Sequence, residues 1–273
     1  GHTTIGAVAQ LFLNSNAASF VQNLLGSDNS INSQDLAGAA TWADRVKFSE
    51  FPWSRNLHFA DAQDNEGPNG YACGYNDLRD CPDGRCLIGA ISNYTQRLQC
   101  SAGLDSEQQN QALKFLTHFL GDVTQPLHIC KRERGGNDVK TTFDGTSTEL
   151  HATWDVSIPV KRINNDFNGD LTQWASHLSD EIKSGAYSSQ AASWLSSGSL
   201  TETNSLGNLN AAVAWATDAN KFDCSVVWPY IDQNPMPDTD LGGDYYTASI
   251  PTVEIQIAKA GYRLADWLNR IFD

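Results

Sequence analysis

Six histidines occur in the sequence: His2, His58, His118, His128, His151 and His177. Imidazole nitrogen together with carboxylate oxygen is the donor set of zinc sites that keep a coordination position open. His118 and Asp122 stand four residues apart, and so do His151 and Asp155. On a helix that spacing puts both side chains on one face, one turn apart, where a pair can hold one ion. His128 lies between the two pairs, just past Gln125-Pro126. A single pair has a simpler explanation, a core histidine bonded to a carboxylate. Two pairs with a third histidine between them, all within residues 118–155, bring a metal centre level with that explanation. His177, in Trp174-Ala-Ser-His177-Leu178, has no carboxylate at the same rhythm and reads as a packing or surface residue.

Helices must position these groups. Ile5, Val8, Ala9 and Phe12 mark one face of a first helix. Residues 33–46 read as a second, with Ser33 as its N-cap, and Leu87–Leu98 as a third. The strongest begins at Ser106-Glu107 and buries Ala112, Leu113, Leu116, Phe119 and Leu120. Gln125-Pro126 stops it, because proline lacks a donor and restricts the residue before it. Leu171, Trp174, Leu178 and Ile182 repeat at helical spacing, residues 209–219 form an Ala-rich buried helix, and Ile257 to Ile271 make a long amphipathic one. Val139–Phe143 followed by Asp144-Gly145 reads as a strand entering a hairpin turn. Residues 61–84, rich in Gly, Asn, Asp and Pro, read as a long ordered loop. With no repeat or linker in view, residues 1–273 are expected to form one mainly helical domain with a small β-hairpin.

Composition narrows the classes. The chain has 273 residues, of which 40% are hydrophobic and 18% charged. That excludes a disordered chain, a coiled coil and a collagen-like fibre. Lys and Arg number 18 against 32 Asp and Glu, a net charge of -14, so a basic protein that tracks nucleic acid along a groove is disfavoured. No run of 18 apolar residues offers a membrane span. No basic, apolar leader precedes Gly1, so a signal peptide is either absent or removed. Six cysteines, low Lys, one Met and abundant Ser, Asn and Gly fit a secreted chain with disulfides. Cys81 and Cys86 bracket a turn, Pro82-Asp-Gly-Arg85, and suit a small disulfide loop. All fifteen pairings of the six remain open at this point. No C-x2-C spacing suggests zinc held by thiolates. Asn93-Tyr94-Thr95 is a glycosylation sequon.

Several motifs resemble the S1/P1 nucleases of fungi and plants, which share a fold with bacterial zinc-dependent phospholipase C. They are Thr41-Trp-Ala-Asp44, Leu57-His-Phe-Ala-Asp61-Ala-Gln-Asp64-Asn65, His118-Phe-Leu-Gly-Asp122-Val-Thr-Gln-Pro-Leu-His128, Gly135-Gly-Asn137, Phe143-Asp-Gly145, Leu150-His-Ala-Thr-Trp-Asp155, Trp215-Ala-Thr-Asp-Ala-Asn220 and Ile257-Ala-Lys-Ala-Gly-Tyr-Arg-Leu-Ala265. The resemblance runs from Gly1-His2 to Trp267. It implies a single multi-helix domain of the phospholipase C/P1 nuclease type holding three zinc ions. One ion would take Asp44, His58, His118 and Asp122, a second His128, His151 and Asp155, and a third His2 with Asp122 shared. In the family an N-terminal tryptophan also holds the third ion. This sequence begins at Gly1-His2, so that site is expected to be altered or completed by residues ahead of Gly1.

The resemblance also implies a nucleobase pocket, with Phe59 stacking on the base, Asp61 and Asn137 bonding its edge, and Gly136 allowing close approach to the backbone. Lys47 would face the scissile phosphate, and Asp44 would orient and help deprotonate the attacking water. Lys131, Arg132 and Arg134 form a basic edge that reads equally as phosphate contacts or as a solvated loop. Implied disulfides are Cys73–Cys224 and Cys81–Cys86, which leaves Cys100 and Cys130 to each other. The implied activity is secreted hydrolysis of single-stranded DNA and RNA to 5′-phosphorylated products, with 3′-nucleotidase action on mononucleotides, by a monomer that binds no membrane. A phospholipase C acting on lipid headgroups and a non-catalytic secreted zinc-binding scaffold are the alternatives.

Overall fold

Helices follow one another along the chain in the computed structural model, which describes residues 1–67, 70–99, 103–195 and 198–273. They are α1 (His2–Gln10), α2 (Ser15–Leu25), α3 (Leu36–Ala39), α4 (Trp42–Val46), α5 (Asp77–Asp80), α6 (Leu87–Leu98) and α7 (Ser106–Asp122). The second half adds α8 (Leu150–Ala152), α9 (Ile158–Asp166), α10 (Leu171–Lys183), α11 (Ala191–Trp194), α12 (Asn210–Phe222), α13 (Trp228–Gln233) and α14 (Asp244–Ile271). Short 3-10 turns cover Pro52–Leu57, Pro126–Ile129 and Arg132–Arg134, and wider π turns cover Thr153–Ser157 and Asp223–Val227. Among the described residues, strand structure is confined to two antiparallel hairpins: β1 (Asn65–Gly67) with β2 (Gly70–Ala72), and β3 (Lys140–Phe143) with β4 (Thr146–Glu149).

α7 is the central element. Asp105 and Gln108 form a reciprocal capping box at its start, which satisfies two backbone donors that would otherwise lack partners. Every residue from Ala112 to Asp122 is buried, on all faces of the helix. α1, α2, α3, α4, α6 and α14 all pack against it. Phe115 and Phe119 stack on each other, and Tyr94 of α6 stacks on Phe115. Burial of one such ring contributes about 1.5–3 kcal/mol. One cluster of buried apolar residues runs from Ile5 to Phe272. α14 carries much of its far side, with Trp267 donating to Thr95 Oγ1 at 2.9 Å.

Several sequence expectations shift in the structure. The segment 33–46 is two helices, because Thr41 leaves helical geometry at φ -103°, ψ 0°. The cap is Asp35, whose carboxylate accepts from Gly38 N at 2.8 Å, while Ser33 donates to that carboxylate. The final helix starts thirteen residues before Ile257, at Asp244. The loop of residues 61–84 holds β1, β2 and α5. The β3–β4 turn forms as expected, with Asp144 and Gly145 both at positive φ.

Cys73–Cys224 and Cys81–Cys86 are bonded. The expected partnership of Cys100 and Cys130 is not: Cys130 is a free, buried thiol. Its sulfur faces inward, 3.9 Å from Asp64 Oδ2. Cys100 itself lies outside the described residues. Asn93 is exposed on α6.

Candidate metal centre

The last turn of α7 delivers His118 and Asp122, both with no exposed surface. His118 Nδ1 donates to the Ala40 carbonyl at 2.7 Å, at the break between α3 and α4. Its Nε2 therefore faces the cluster, 3.1 Å from Asp122 Oδ2 and 3.4 Å from Asp44 Oδ1. Asp44 comes from α4. His58 follows the 3-10 turn Pro52–Leu57 and brings its Nδ1 to 3.0 Å from His118 Nε2 and 3.1 Å from Asp122 Oδ2.

A second group forms beside the first. Pro126 opens the 3-10 turn that carries His128, whose Nδ1 donates to the His58 carbonyl at 2.6 Å. His151, on α8, donates from Nδ1 to the Gly135 carbonyl at 2.8 Å. Both rings thus aim Nε2 at Asp155, at 3.5 Å from His128 and 3.2 Å from His151. Asp155 sits on the π turn, a geometry that recurs at functional sites. Its Oδ1 also accepts from Gln125 Nε2 at 3.0 Å.

His2 completes the cluster from α1. Its Nε2 lies 2.8 Å from Asp122 Oδ1, and its ring stacks on His118 at 4.0 Å. The Gly1 amine donates to the Asp155 carbonyl at 3.2 Å. Within each of three sets here the donor atoms lie within 4.8 Å of one another: His2, His118 and Asp122; Asp44, His58 and His118; His128, His151 and Asp155. The eight residues expected as metal ligands are thus brought together. His177 is elsewhere, packed on Phe167.

The electrostatics follow from burying carboxylates among imidazoles. Burial opposes charge on His118, but Asp122 and Asp44 outweigh it and hold the ring well above the usual histidine range. Asp122 is held well below the usual carboxylate range, because His118 and His128 outweigh its burial. Asp155 behaves likewise toward His151 and His128. His128 is pushed up to about 9, its burial outweighed by Asp122 and Asp155. His2 and His58 move down, chiefly through burial. The cluster therefore demands positive charge, from imidazolium or from bound cations.

Zinc fits this donor set. Imidazole nitrogens and carboxylates converge without a thiolate. Each of His118, His128 and His151 has its other ring nitrogen fixed by a backbone carbonyl, the support that orients metal-binding histidines. His128 Nε2 is buried with no hydrogen-bond partner, a polar atom that a cation would satisfy.

A cleft of about 550 Å³ opens over the cluster. Lys47, Phe59, Asp61, Asn137, Lys131 and Arg134 line it, together with His58, His128 and His151. Phe59 is 38% exposed, so a ring face is available to a ligand. Burial raises the Asp61 carboxyl, with Lys131 opposing. Asn137 Nδ2 donates to the Arg134 carbonyl at 2.7 Å, which fixes the amide. Lys47 Nζ lies 2.6 Å from Asp44 Oδ1.

The basic edge divides. Lys131 and Arg134 face the cleft, whereas Arg132 pairs with Asp232 and lies over the Trp228 ring. Gly135, rather than Gly136, lines the cleft. Gly136 has φ 78°, and a Cβ there would meet Leu127 and Leu150 side chains at 3.3 Å.

Sequence reasoning missed Gly121 and Gln125. A Cβ on Gly121 would lie 2.7 Å from the His2 ring, so only glycine lets α7 and α1 approach here. A glycine inside a strongly patterned helix was the available signal.

Comparison with known proteins agrees with this geometry. The chain is 43% identical over 272 residues to nuclease P1 of Penicillium citrinum, spanning 99% of this chain and 96% of the relative. Nuclease PA3 of a Penicillium species gives the same identity and coverage. Nuclease S1 of Aspergillus oryzae is 41% identical over 276 residues, with 99% and 90% covered. The family model for S1/P1 nuclease matches residues 1–273, and the chain belongs to that family.

Proposed function

We propose that this protein is a secreted, zinc-dependent phosphodiesterase that cleaves single-stranded DNA and RNA to 5′-phosphorylated products and removes the phosphate of 3′-mononucleotides. One observation carries the reading: imidazoles locked by main-chain carbonyls converge with carboxylates at the floor of a cleft whose wall holds an open aromatic ring. Family membership supports it.

Three zinc ions are proposed. Asp44, His58, His118 and Asp122 would hold one, His128, His151 and Asp155 a second, and His2 with Asp122 a third. When bound, zinc supplies Lewis acidity toward phosphate oxygens and lowers the pKa of water from near 16 toward about 7.

The remaining work belongs to the chain. Asp44, half-exposed at the cleft, orients the attacking water and accepts its proton. Lys47, held against Asp44, places an ammonium where charge grows on the phosphate in the transition state. Gln125 fixes the Asp155 carboxylate. Phe59 stacks on the base 5′ to the scissile phosphate, and Asp61 and Asn137 bond its edge. That arrangement explains a preference for single strands, since a paired base must first be unstacked. Lys131 and Arg134 add positive charge along the base side of the cleft. Local charge outweighs the net -14 of the chain, because a short footprint needs no long basic track. Exposed Asn93 is proposed as a glycan site, in keeping with two disulfides and secretion.

The test pairs zinc per chain by elemental analysis with digestion of single-stranded DNA before and after chelation. Loss of activity with the metal, its return on adding zinc, and 5′-phosphate ends are expected. Activity unchanged after exhaustive chelation overturns the metal mechanism. Phosphatidylcholine in a parallel assay, cleaved in preference to DNA, overturns the substrate assignment.

A further inference from the structure

Phe48, in the turn after α4, is 67% exposed and lines the same cleft. A single exposed ring is common on protein surfaces; this one stands in the cleft beside two cations. The Arg55 guanidinium lies 4.7 Å from the centre of this ring, and the Lys47 ammonium 5.6 Å from it. Arg55 is tied to the same turn, because its Nε donates to the Lys47 carbonyl at 2.9 Å. Arg55 is exposed in the cleft and forms no ion pair among the described residues, so its charge is open to an anion. The Phe59 pocket accounts for none of these three residues except Lys47.

We propose that Phe48 and Arg55 form a second stacking platform, which takes the nucleotide on the 3′ side of the scissile phosphate. This rests on the nuclease reading of the cleft. An open aromatic face flanked by cations is how sequence-tolerant grooves hold single strands, by base stacking and contacts to phosphate. Lys47 joins the platform to the cluster, since it contacts both the Phe48 ring and Asp44. A strand with one base on Phe59 and its 3′-phosphate over the imidazoles and carboxylates continues past Lys47 onto Phe48. A 3′-mononucleotide has nothing to place there.

The two substrate sizes provide the test. kcat/KM of the zinc-loaded enzyme is measured for thymidylyl-(3′→5′)-thymidine and for thymidine 3′-phosphate. In Phe48→Ala the ratio of dinucleotide to mononucleotide kcat/KM falls about tenfold, through KM, as expected for one lost stacking contact. Phe48→Trp keeps the ratio, and Arg55→Gln lowers it by a smaller factor. An unchanged ratio in Phe48→Ala, or equal losses on both substrates, overturns the platform. The nuclease reading fails separately, if wild-type enzyme hydrolyses neither substrate or if Phe59→Ala affects neither.

Discussion

Asp122 is the residue on which the cluster turns, since His2, His58, His118 and His128 all lie within 3.5 Å of its oxygens. Asp122→Asn keeps the shape and removes the charge. Zinc per chain is expected to fall, and kcat/KM on an oligonucleotide to drop by more than about 100-fold, beyond what loss of a mere supporting partner costs. Elemental analysis and kinetics on the same preparation check this. Gly121→Ala tests position rather than charge. The new methyl would sit 2.7 Å from the His2 ring and displace it. Alanine favours helix by about 1 kcal/mol over glycine, so the helix itself is not weakened. Lower zinc content and activity with an unchanged helical circular dichroism spectrum are expected. The His118–Asp122 and His151–Asp155 pairs were legible because helical spacing is local information. Gln125, and the contact between Gly121 and His2, were not, since each depends on a partner far along the chain. The surroundings of Gly136 were hidden for the same reason: its neighbours Leu127 and Leu150 come from other segments.

Periodicity exposed the long amphipathic helices well. α6, α7, α10 and α12 lie close to where apolar spacing placed them. The break at Thr41 and the π turn at Thr153–Ser157 leave no such mark, because one residue of altered geometry barely perturbs the pattern. The long Asp244 start of α14 was hidden by Pro251, which sits inside the helix. α7 is anchored to the segment after α2 by Lys114, buried beneath the Trp42 ring at 4.1 Å and bonded to Asp28 at 2.7 Å. Burial alone would raise the Asp28 carboxyl, but hydrogen bonds from Lys114, Ser30 and Asn110 outweigh it and hold the group well below its usual range. A depressed folded value means stabilisation that is complete above the unfolded pKa of about 3.9 and is lost as pH falls toward the folded one. Asp28→Asn leaves the Lys114 ammonium buried without its partner, which costs about 3 kcal/mol at pH 7. In urea titrations the gap between wild type and variant should narrow at pH 3. A gap that stays constant with pH would remove this ion pair from the account.

The chain matched its sequence in fold class: mainly helical, with a small hairpin at Asp144-Gly145. Cysteine pairing did not follow throughout, because burial of Cys130 against Asp64 depends on tertiary packing. Cys73–Cys224 links segments 151 residues apart, the kind of long loop whose closure restricts the unfolded chain most. The ligand set extends the same principle without covalent bonds. Its members come from α1, α4, the Pro52–Leu57 turn, α7, the Pro126–Ile129 turn, α8 and the π turn, and none comes from the long C-terminal helices. Divalent ions that bind only when these parts are assembled must shift the folding equilibrium by mass action. The melting temperature should therefore climb with free zinc concentration and drop on dialysis against a chelator, which scanning calorimetry reads directly. For this enzyme, zinc supply would then be a thermostat setting as well as an on-switch.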